Sequence, residues 1–367
     1  MHELIAIALP GGVGFIEALQ RAWDEGDAVL PIDLRLPGQA VNRLLAALGP
    51  ACLVDEHGSR RLPPGGARPV ADGDALVMAT SGTTGEPKGV VHTHDSIAAS
   101  AAATSVHLGI DGERHHWLAC LPLAHIGGLS VVFRARWAGT GLTVLDGFDP
   151  GQALACGATH VSLVPTALQR LGERANEFEC IVLGGSAPPQ VRAANVVTTY
   201  GLTETGSGIV YDGWPLPGVE VREEQGELQV RGPMLLRAYR DGVDPRTADG
   251  WLPTGDGGSV DRDGFVRVFG RNDDLIITGA QKVWPDPVER ILAQMDGIAE
   301  VAVVGRAHPE WGQQVTAVVV AAGVVPTLAA MRSAVKAELA PYCAPGAVEV
   351  VDALPRTALG KVRRSAL

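Results

Sequence analysis

Short β-branched runs alternate with Ala- and Leu-rich stretches through the first half of the chain, and this alternation limits the fold more than any other feature. "LIAIAL" is followed by "VGFIEALQRAWDEG", "AVLPID" by "QAVNRLLAALG" and "ACLVD", and later "HVSLVP" by "TALQRLGERA" and "CIVLGG". Strand, helix, strand at this spacing predicts parallel βαβ units, because parallel neighbours need a crossover long enough to hold a helix. Between about residues 205 and 270 the texture changes to short strands punctuated by Gly and Asp turns, as in "GELQVRG", "GWLPTGDGG" and "DGFVRVFG". That pattern predicts a smaller antiparallel β subdomain. From Arg271 a fresh α+β pattern begins, with "DLIITG", the helix candidate "PDPVERILAQM", "EVAVVG", "QVTAVVVA", the helix candidate "TLAAMRSAVKAELA" and "AVEVVDALP". The expected architecture is α/β: a large N-terminal domain, 1–270, of βα-layered sheets plus the antiparallel subdomain, then a small α+β domain, 271–367, with "GRNDD" as the hinge.

A chain of 367 residues can bury both cores, and 46% hydrophobic with 19% charged residues excludes a disordered protein. The net charge of −11 disfavours nucleic acid and acidic membranes as partners. The last 97 residues hold ten basic and ten acidic side chains, so all of the excess negative charge lies before Arg271. Five cysteines without a CxxC pair signal neither a zinc site nor a disulfide framework, and buried free thiols are the expectation. The start has no basic segment of the signal-peptide kind. The longest clean apolar run, in "VTAVVVAAGVV", is short of the roughly 18 to 20 residues that span a bilayer. A cytoplasmic protein is expected.

The stretch "TSGTTGEPKG", Thr80 to Gly89, sets four hydroxyls, three glycines and a lysine directly after the apolar "ALVM". Glycines allow close backbone approach, and hydroxyls and N–H groups can surround phosphate oxygens, with Lys88 adding a mobile positive charge. The spacing is not that of the Walker loop. Taken alone, such a stretch is a solvent-facing turn as readily as a phosphate cradle.

This decapeptide resembles the phosphate loop of the adenylate-forming superfamily, which includes acyl-CoA ligases, peptide-synthetase adenylation domains and firefly luciferase. Further motifs similar to that superfamily's follow in order. The resemblance implies ATP contacts from Thr80, Ser81, Gly82, Thr83, Thr84 and Lys88. "LPLAHIGGL" looks like the second signature, which puts His125 by the acyl pocket, orienting the carboxylate. "VLGGSAPP" is similar to the segment lining adenine, which assigns Gly184, Gly185 and Ser186 there. From "TTYGLTETG" the resemblance gives Tyr200 as the adenine-stacking ring, Thr203 on the α-phosphate, Glu204 on magnesium and Gly206 at the acyl substrate. "WLPTGDGG" and "GRNDDLIITG" supply Asp256 and Arg271 as ribose contacts, with Asp273 at the hinge of a mobile C-terminal lid. "ITGAQKVWP" matches the channel strand, where Gly279 would let pantetheine pass. "LPRTALGKVRR" resembles the C-terminal loop whose lysine, here Lys361, enters the active site during adenylation.

The implied reaction is ATP-dependent ligation of a small carboxylic acid to CoA through an acyl-adenylate, with magnesium as cofactor and with release of AMP and pyrophosphate. Lys361, His125, Thr203 and Glu204 are the implied catalytic residues. The compact length and "YGLTETGSGIVYDGWPLPGVEV" look like the o-succinylbenzoate–CoA ligases of menaquinone biosynthesis, particularly actinobacterial ones. Roughly fifty early residues of longer superfamily members would have no counterpart here. That acid carries a second carboxylate, for which Arg134 in "SVVFRARWAG" is the candidate partner; a surface arginine would instead favour a monocarboxylic acid. A general aryl or medium-chain acyl-CoA ligase and an adenylation enzyme loading a carrier protein are the alternatives. Neither nucleic acid nor membrane is an expected partner, and a homodimer stays open.

Overall fold

Two parallel cores carry the strand and helix alternation into three dimensions. The computed structural model describes residues 2–63, 66–81, 87–185, 192–356 and 362–367, without the side chains of Ser81 and Ser365. In the first seven-stranded sheet the order is Ala238–Tyr239, Pro87–Thr93, Asp74–Ser81, Ala28–Pro31, Leu4–Ile7, Cys52–Asp55 and Gly58–Arg61. Leu4–Ile7 runs parallel to both Ala28–Pro31 and Cys52–Asp55, with the helices Val13–Asp24 and Gly38–Leu48 as crossovers. Phe15, Leu19 and Ala22 recur at helical spacing and are the buried face of the first crossover. The second ends where Gly49 turns left-handed at φ +61, a conformation that costs glycine little. Leu4, Leu30, Leu44, Leu48, Leu53 and Val91 form one continuous apolar core.

The second seven-stranded sheet has the order Trp214–Pro215, Ser207–Tyr211, Val196–Leu202, Cys180–Leu183, His160–Leu163, His116–Ala119 and Gly141–Val144. Its five strands from Gly141–Val144 to Val196–Leu202 are parallel, and Ser207–Tyr211 returns antiparallel. Helices His94–His107 and Ile126–Ala138 pack on one another and spread their apolar residues around the axis with no single apolar stripe, so neither announces itself by periodicity.

A four-stranded sheet follows, Glu220–Glu224, Glu227–Arg231, Leu252–Val260 and Val266–Arg271. The Gly- and Asp-rich "LPTGDGGSV", which reads as strand and turn, is a single nine-residue strand. In the last sheet Gly312–Ala321 is central, antiparallel to Ile298–His308 and Ile276–Thr278 and parallel to Ala347–Val351. Val288, Ile291, Leu292, Met331 and Val335, from the helices Pro285–Leu292 and Leu328–Glu338, close over Val303, Val315 and Ala317.

By contacts the chain forms two compact units. One comprises Met1–Val221, Gln229–Pro253 and Arg262–Val266, the other Arg222–Leu228, Thr254–Asp261 and Arg267–Leu367, and the division runs through the four-stranded sheet. All five cysteines are free; Cys120 is buried, its thiol pushed up to about 12 by burial, whereas Cys52, Cys156, Cys180 and Cys343 are partly exposed, so the buried-thiol expectation holds for one of them. No helix among the described residues is long and apolar enough to cross a membrane.

Candidate active site

The strands Asp74–Ser81 and Pro87–Thr93 pair antiparallel, with Thr80 opposite Lys88 and Ser81 opposite Pro87. They bring both ends of the hydroxyl-rich stretch to one edge. Gly82, Thr83 and Thr84 lie outside the described residues, as do Ser186 and Lys361. The Lys88 ammonium stands 5.3 Å from the ring centroid of Tyr239, a cation over an aromatic face. Gly89 must lack a side chain, since a Cβ there would meet Leu48, Val77 and Arg240 at 2.8 Å. Beyond it, Thr93 and Ser96 form a reciprocal capping box that starts the helix His94–His107.

Thr203 and Glu204 sit in the single turn Thr203–Thr205 between two antiparallel strands. Three bonds fix that turn from outside. His92 Nε2 donates to the Thr203 carbonyl at 2.7 Å, the Leu236 N–H donates to the Glu204 carbonyl at 2.8 Å, and the Tyr239 hydroxyl donates to Glu204 Oε1 at 3.0 Å. His92 is completely buried, and that burial pushes its pKa down to about 4, so the ring is neutral. With its one proton on Nε2, Nδ1 is the acceptor facing the Ser96 hydroxyl at 3.2 Å. Gly206 takes φ +67 to leave the turn, and Tyr200 stands opposite Val210 at an irregularity in the ladder. Gly184 lies against Thr199 at the end of Cys180–Leu183, and Gly185 adopts φ +90. Lys88, Tyr239 and Glu204 thus join a cation, a hydroxyl donor and a carboxylate in one cluster. A hard cation that takes one carboxylate and completes its shell from phosphate and water fits Glu204, whose second oxygen is not the one that receives Tyr239. Among the described residues no group of three His, Cys, Asp or Glu could ligate a metal without such help.

His125 occupies the N-cap position of Ile126–Ala138, its side chain making no capping bond to the helix. Its Nε2 lies 2.9 Å from Arg35 Nη2 and 3.2 Å from Asp33 Oδ2. Nine residues on, Arg134 is 3% exposed; Nη1 donates to Ser162 at 3.1 Å, and Nη2 to Ser207 at 2.5 Å and Tyr211 at 3.3 Å. Trp117 lies beneath the guanidinium at 5.6 Å, and Nε has no partner. Arg134 is therefore a buried cation held by hydroxyls and by no carboxylate among the described residues.

In the second unit, Asp256 is 4% exposed, and Arg271 Nη1 donates to it at 3.2 Å and to the Thr254 carbonyl at 3.0 Å. Asp273 belongs to the turn Asn272–Asp274, and Gly279 at φ +54 donates its N–H to the Trp311 carbonyl. Arg356 and Val362 pair on either side of 357–361, and Arg364 binds Asp274, Asp286 and Glu289 at 2.8 to 2.9 Å. His92, Tyr239, Asp33 and Arg35 were not legible as site residues. Their only sequence signal is a polar group next to strand-like apolar runs, and what makes them relevant is a partner far along the chain.

The AMP-binding enzyme family matches residues 59–240 by its sequence model, and the AMP-binding enzyme C-terminal domain matches residues 287–361. The probable 2-succinylbenzoate–CoA ligase of Mycobacterium tuberculosis is 37% identical over 327 residues, covering 81% of this chain and 85% of that protein. This chain belongs to the AMP-binding enzyme family. The 2-succinylbenzoate–CoA ligase of Bacillus cytotoxicus is 36% identical to this AMP-binding enzyme over 333 residues, 79% of the chain and 69% of that protein. Among solved structures, the o-succinylbenzoate CoA synthetase MenE of Bacillus subtilis in complex with the acyl-adenylate intermediate OSB-AMP superposes with a TM-score of 0.87 at 28% identity, over 99% of this chain and 87% of that one. The same synthetase with ATP and magnesium ion gives 0.86 at 28% identity, over 99% and 88%. The family assignment agrees with the α/β architecture and with the order of the motifs along the AMP-binding enzyme.

Proposed function

We infer that this AMP-binding enzyme joins 2-succinylbenzoate to CoA in two steps. In the first, a carboxylate oxygen attacks the α-phosphorus of ATP, the bond to the β-phosphate bridging oxygen breaks, and pyrophosphate leaves with the electron pair. In the second, the CoA thiol adds to the acyl carbonyl, AMP departs as the leaving group, and the thiol proton goes to solvent. Little covalent work falls to the protein, so alignment and charge stabilisation carry the catalysis. Thr80, Ser81, Gly82, Thr83, Thr84 and Lys88 would hold the outer phosphates, and Thr203 the α-phosphate. Tyr200, Gly184, Gly185 and Ser186 would take adenine, and Asp256 and Arg271 the ribose. Magnesium at Glu204 would neutralise phosphate charge. Lys361 would sit between the attacking carboxylate and the α-phosphate, Asp273 would serve as hinge, and Gly279 would admit pantetheine.

The observation that carries the choice of acid is Arg134. A guanidinium buried with three hydroxyls and an unpartnered Nε leaves a positive charge that an anion must balance. The distal carboxylate of 2-succinylbenzoate supplies one, whereas a monocarboxylic acid uses its only carboxylate in the reaction. Names of relatives support the same acid. The test is product analysis with 2-succinylbenzoate, benzoate and octanoate, with CoA or a phosphopantetheinyl carrier protein as acceptor. AMP, pyrophosphate and the CoA thioester are expected with 2-succinylbenzoate. ADP and orthophosphate would sink the inference, and equal turnover of benzoate would remove the diacid.

A further inference from the structure

Asp33 and Arg35 follow the strand Ala28–Pro31, about ninety residues before His125, and they form a hydrogen-bonded ion pair. Asp33 is 8% exposed. Its Oδ1 accepts the Arg35 backbone N–H at 3.0 Å and Nε at 2.8 Å, and its Oδ2 accepts Nη2 at 2.8 Å. These bonds hold the Asp33 carboxyl down to about 2, so it stays ionised, with Oδ1 accepting twice and Oδ2 once from Arg35. Nη2 carries two hydrogens. One serves Asp33, and the other points at His125 Nε2 across 2.9 Å.

A guanidinium nitrogen donates and does not accept. At 2.9 Å a proton on Nε2 would set two N–H groups against each other, so Nε2 must present its lone pair and the ring proton must reside on Nδ1. Asp33 Oδ2, 3.2 Å from Nε2 and accepting one bond from Arg35, pulls the other way, but it is the longer of the two approaches. We propose that Asp33 and Arg35 are positioning residues for the acid-activation step: Arg35, fixed by Asp33, holds His125 through Nε2 and confines the ring's donated proton to Nδ1. His125 then orients the substrate carboxylate as an uncharged donor. A neutral donor aligns the attacking oxygen without adding a second positive charge to the one Lys361 would supply. This inference rests on the reading that His125 faces the acid.

The tautomer is directly measurable in the full chain labelled with ¹⁵N-histidine, the His125 signals being those lost in His125→Gln. The expected spectrum has Nε2 at the shift of an unprotonated acceptor and Nδ1 at that of an N–H. Arg35→Met, at a half-exposed side chain, should release the ring to the other tautomer or to an average of the two. It should also raise KM for the acid about tenfold, the scale of one well-placed hydrogen bond, with KM for ATP unchanged. Arg35→Lys, which keeps one donor, should recover part of the loss. In a His125→Gln background Arg35→Met should add nothing further, because Arg35 acts through His125. A protonated Nε2 in the wild-type protein, or additive effects in the double variant, overturns the proposal. Absence of AMP formation with every acid would strike the acyl-adenylate reading instead, and the ¹⁵N spectrum still decides the tautomer in that case.

Discussion

Arg134 and Glu204 are charged residues in opposite situations. Glu204 is held by Tyr239 and by its own backbone, whereas Arg134 has been taken out of water with three hydroxyls and the Trp117 ring for company. Burying an unpaired charge costs several kcal/mol, and hydrogen bonds to uncharged hydroxyls offset that cost without balancing the charge. Arg134→Met should therefore leave the free enzyme as stable as before, or up to about 2 kcal/mol more stable, as read by urea unfolding. The same change should raise KM for 2-succinylbenzoate at least tenfold, and loss of stability together with an unchanged KM would dismiss the anion-binding role. Tyr239→Phe removes one hydrogen bond to a carboxylate, about 1.5 to 3 kcal/mol, and should raise the magnesium needed for half-maximal ATP binding by roughly tenfold in a calorimetric titration. A Mg²⁺ dependence identical to the wild type would separate Tyr239 from the metal. His125, Glu204 and Asp256 could be singled out in the sequence because each lies inside a short pattern that resembles a family motif. Tyr239 could not, since its relevance exists only once the chain returns 35 residues later to lay that ring between Lys88 and Glu204.

Elements explain how those few side chains are delivered. The turn that carries Thr203 and Glu204 is only three residues long, so its position depends on the hairpin beneath it. At the irregular step between Tyr200 and Gly201 the two strands come so close that a methyl on Gly201 would collide with the Ser207 carbonyl oxygen and the Gly208 Cα, backbone atoms that cannot swing aside. Gly201→Ala should cost on the order of 1 to 3 kcal/mol and abolish ATP binding, measured by thermal unfolding and calorimetry. Gly127→Ala, where nothing lies within 4 Å of a new Cβ on a helix, should instead be neutral or gain up to about 1 kcal/mol. If both variants melt alike, the close approach is not what fixes the hairpin. The crossover helices Val13–Asp24 and Gly38–Leu48 were readable because one face is apolar and the other wet. Helices His94–His107 and Ile126–Ala138 were not, because they are buried on most sides and Ala, Ser, Gly and Val surround the axis. Leu252–Val260 hid behind its glycines, which serve close packing against Leu228, Arg271 and Trp284 in place of a turn.

For the molecule as a whole, the histidines buried in the two parallel cores set an acid limit. His92 and His160 both have folded-state values near 4, burial being the main cause, against 6.5 for an unconstrained ring. Between those values the unfolded chain binds protons that the folded one refuses, so stability is complete above about pH 6.5 and falls as pH drops toward 4. The loss at pH 5 should be about 2 kcal/mol per histidine, and His160→Asn should remove its share from urea midpoints compared at pH 7 and pH 5. The alternation of strand and helix foretold the parallel βαβ cores of the two seven-stranded sheets and not their antiparallel strands, and the division into two units does not follow a single point in the sequence: segments 222–228 and 254–261 belong with the C-terminal part. Function at this scale depends on chemistry that differs between the two half-reactions. Adenylation brings an anionic carboxylate against a triphosphate and needs a cation between them, while thioester formation expels AMP and places no second anion at the phosphorus. Lys361→Ala should therefore slow pyrophosphate release by several orders of magnitude, yet leave thioester formation from supplied acyl-adenylate within a few-fold of wild type. Measured side by side in single-turnover experiments, equal losses in both steps would mean that Lys361 supports the fold or binds nucleotide throughout, and the assignment of a cation specific to the first step would be lost.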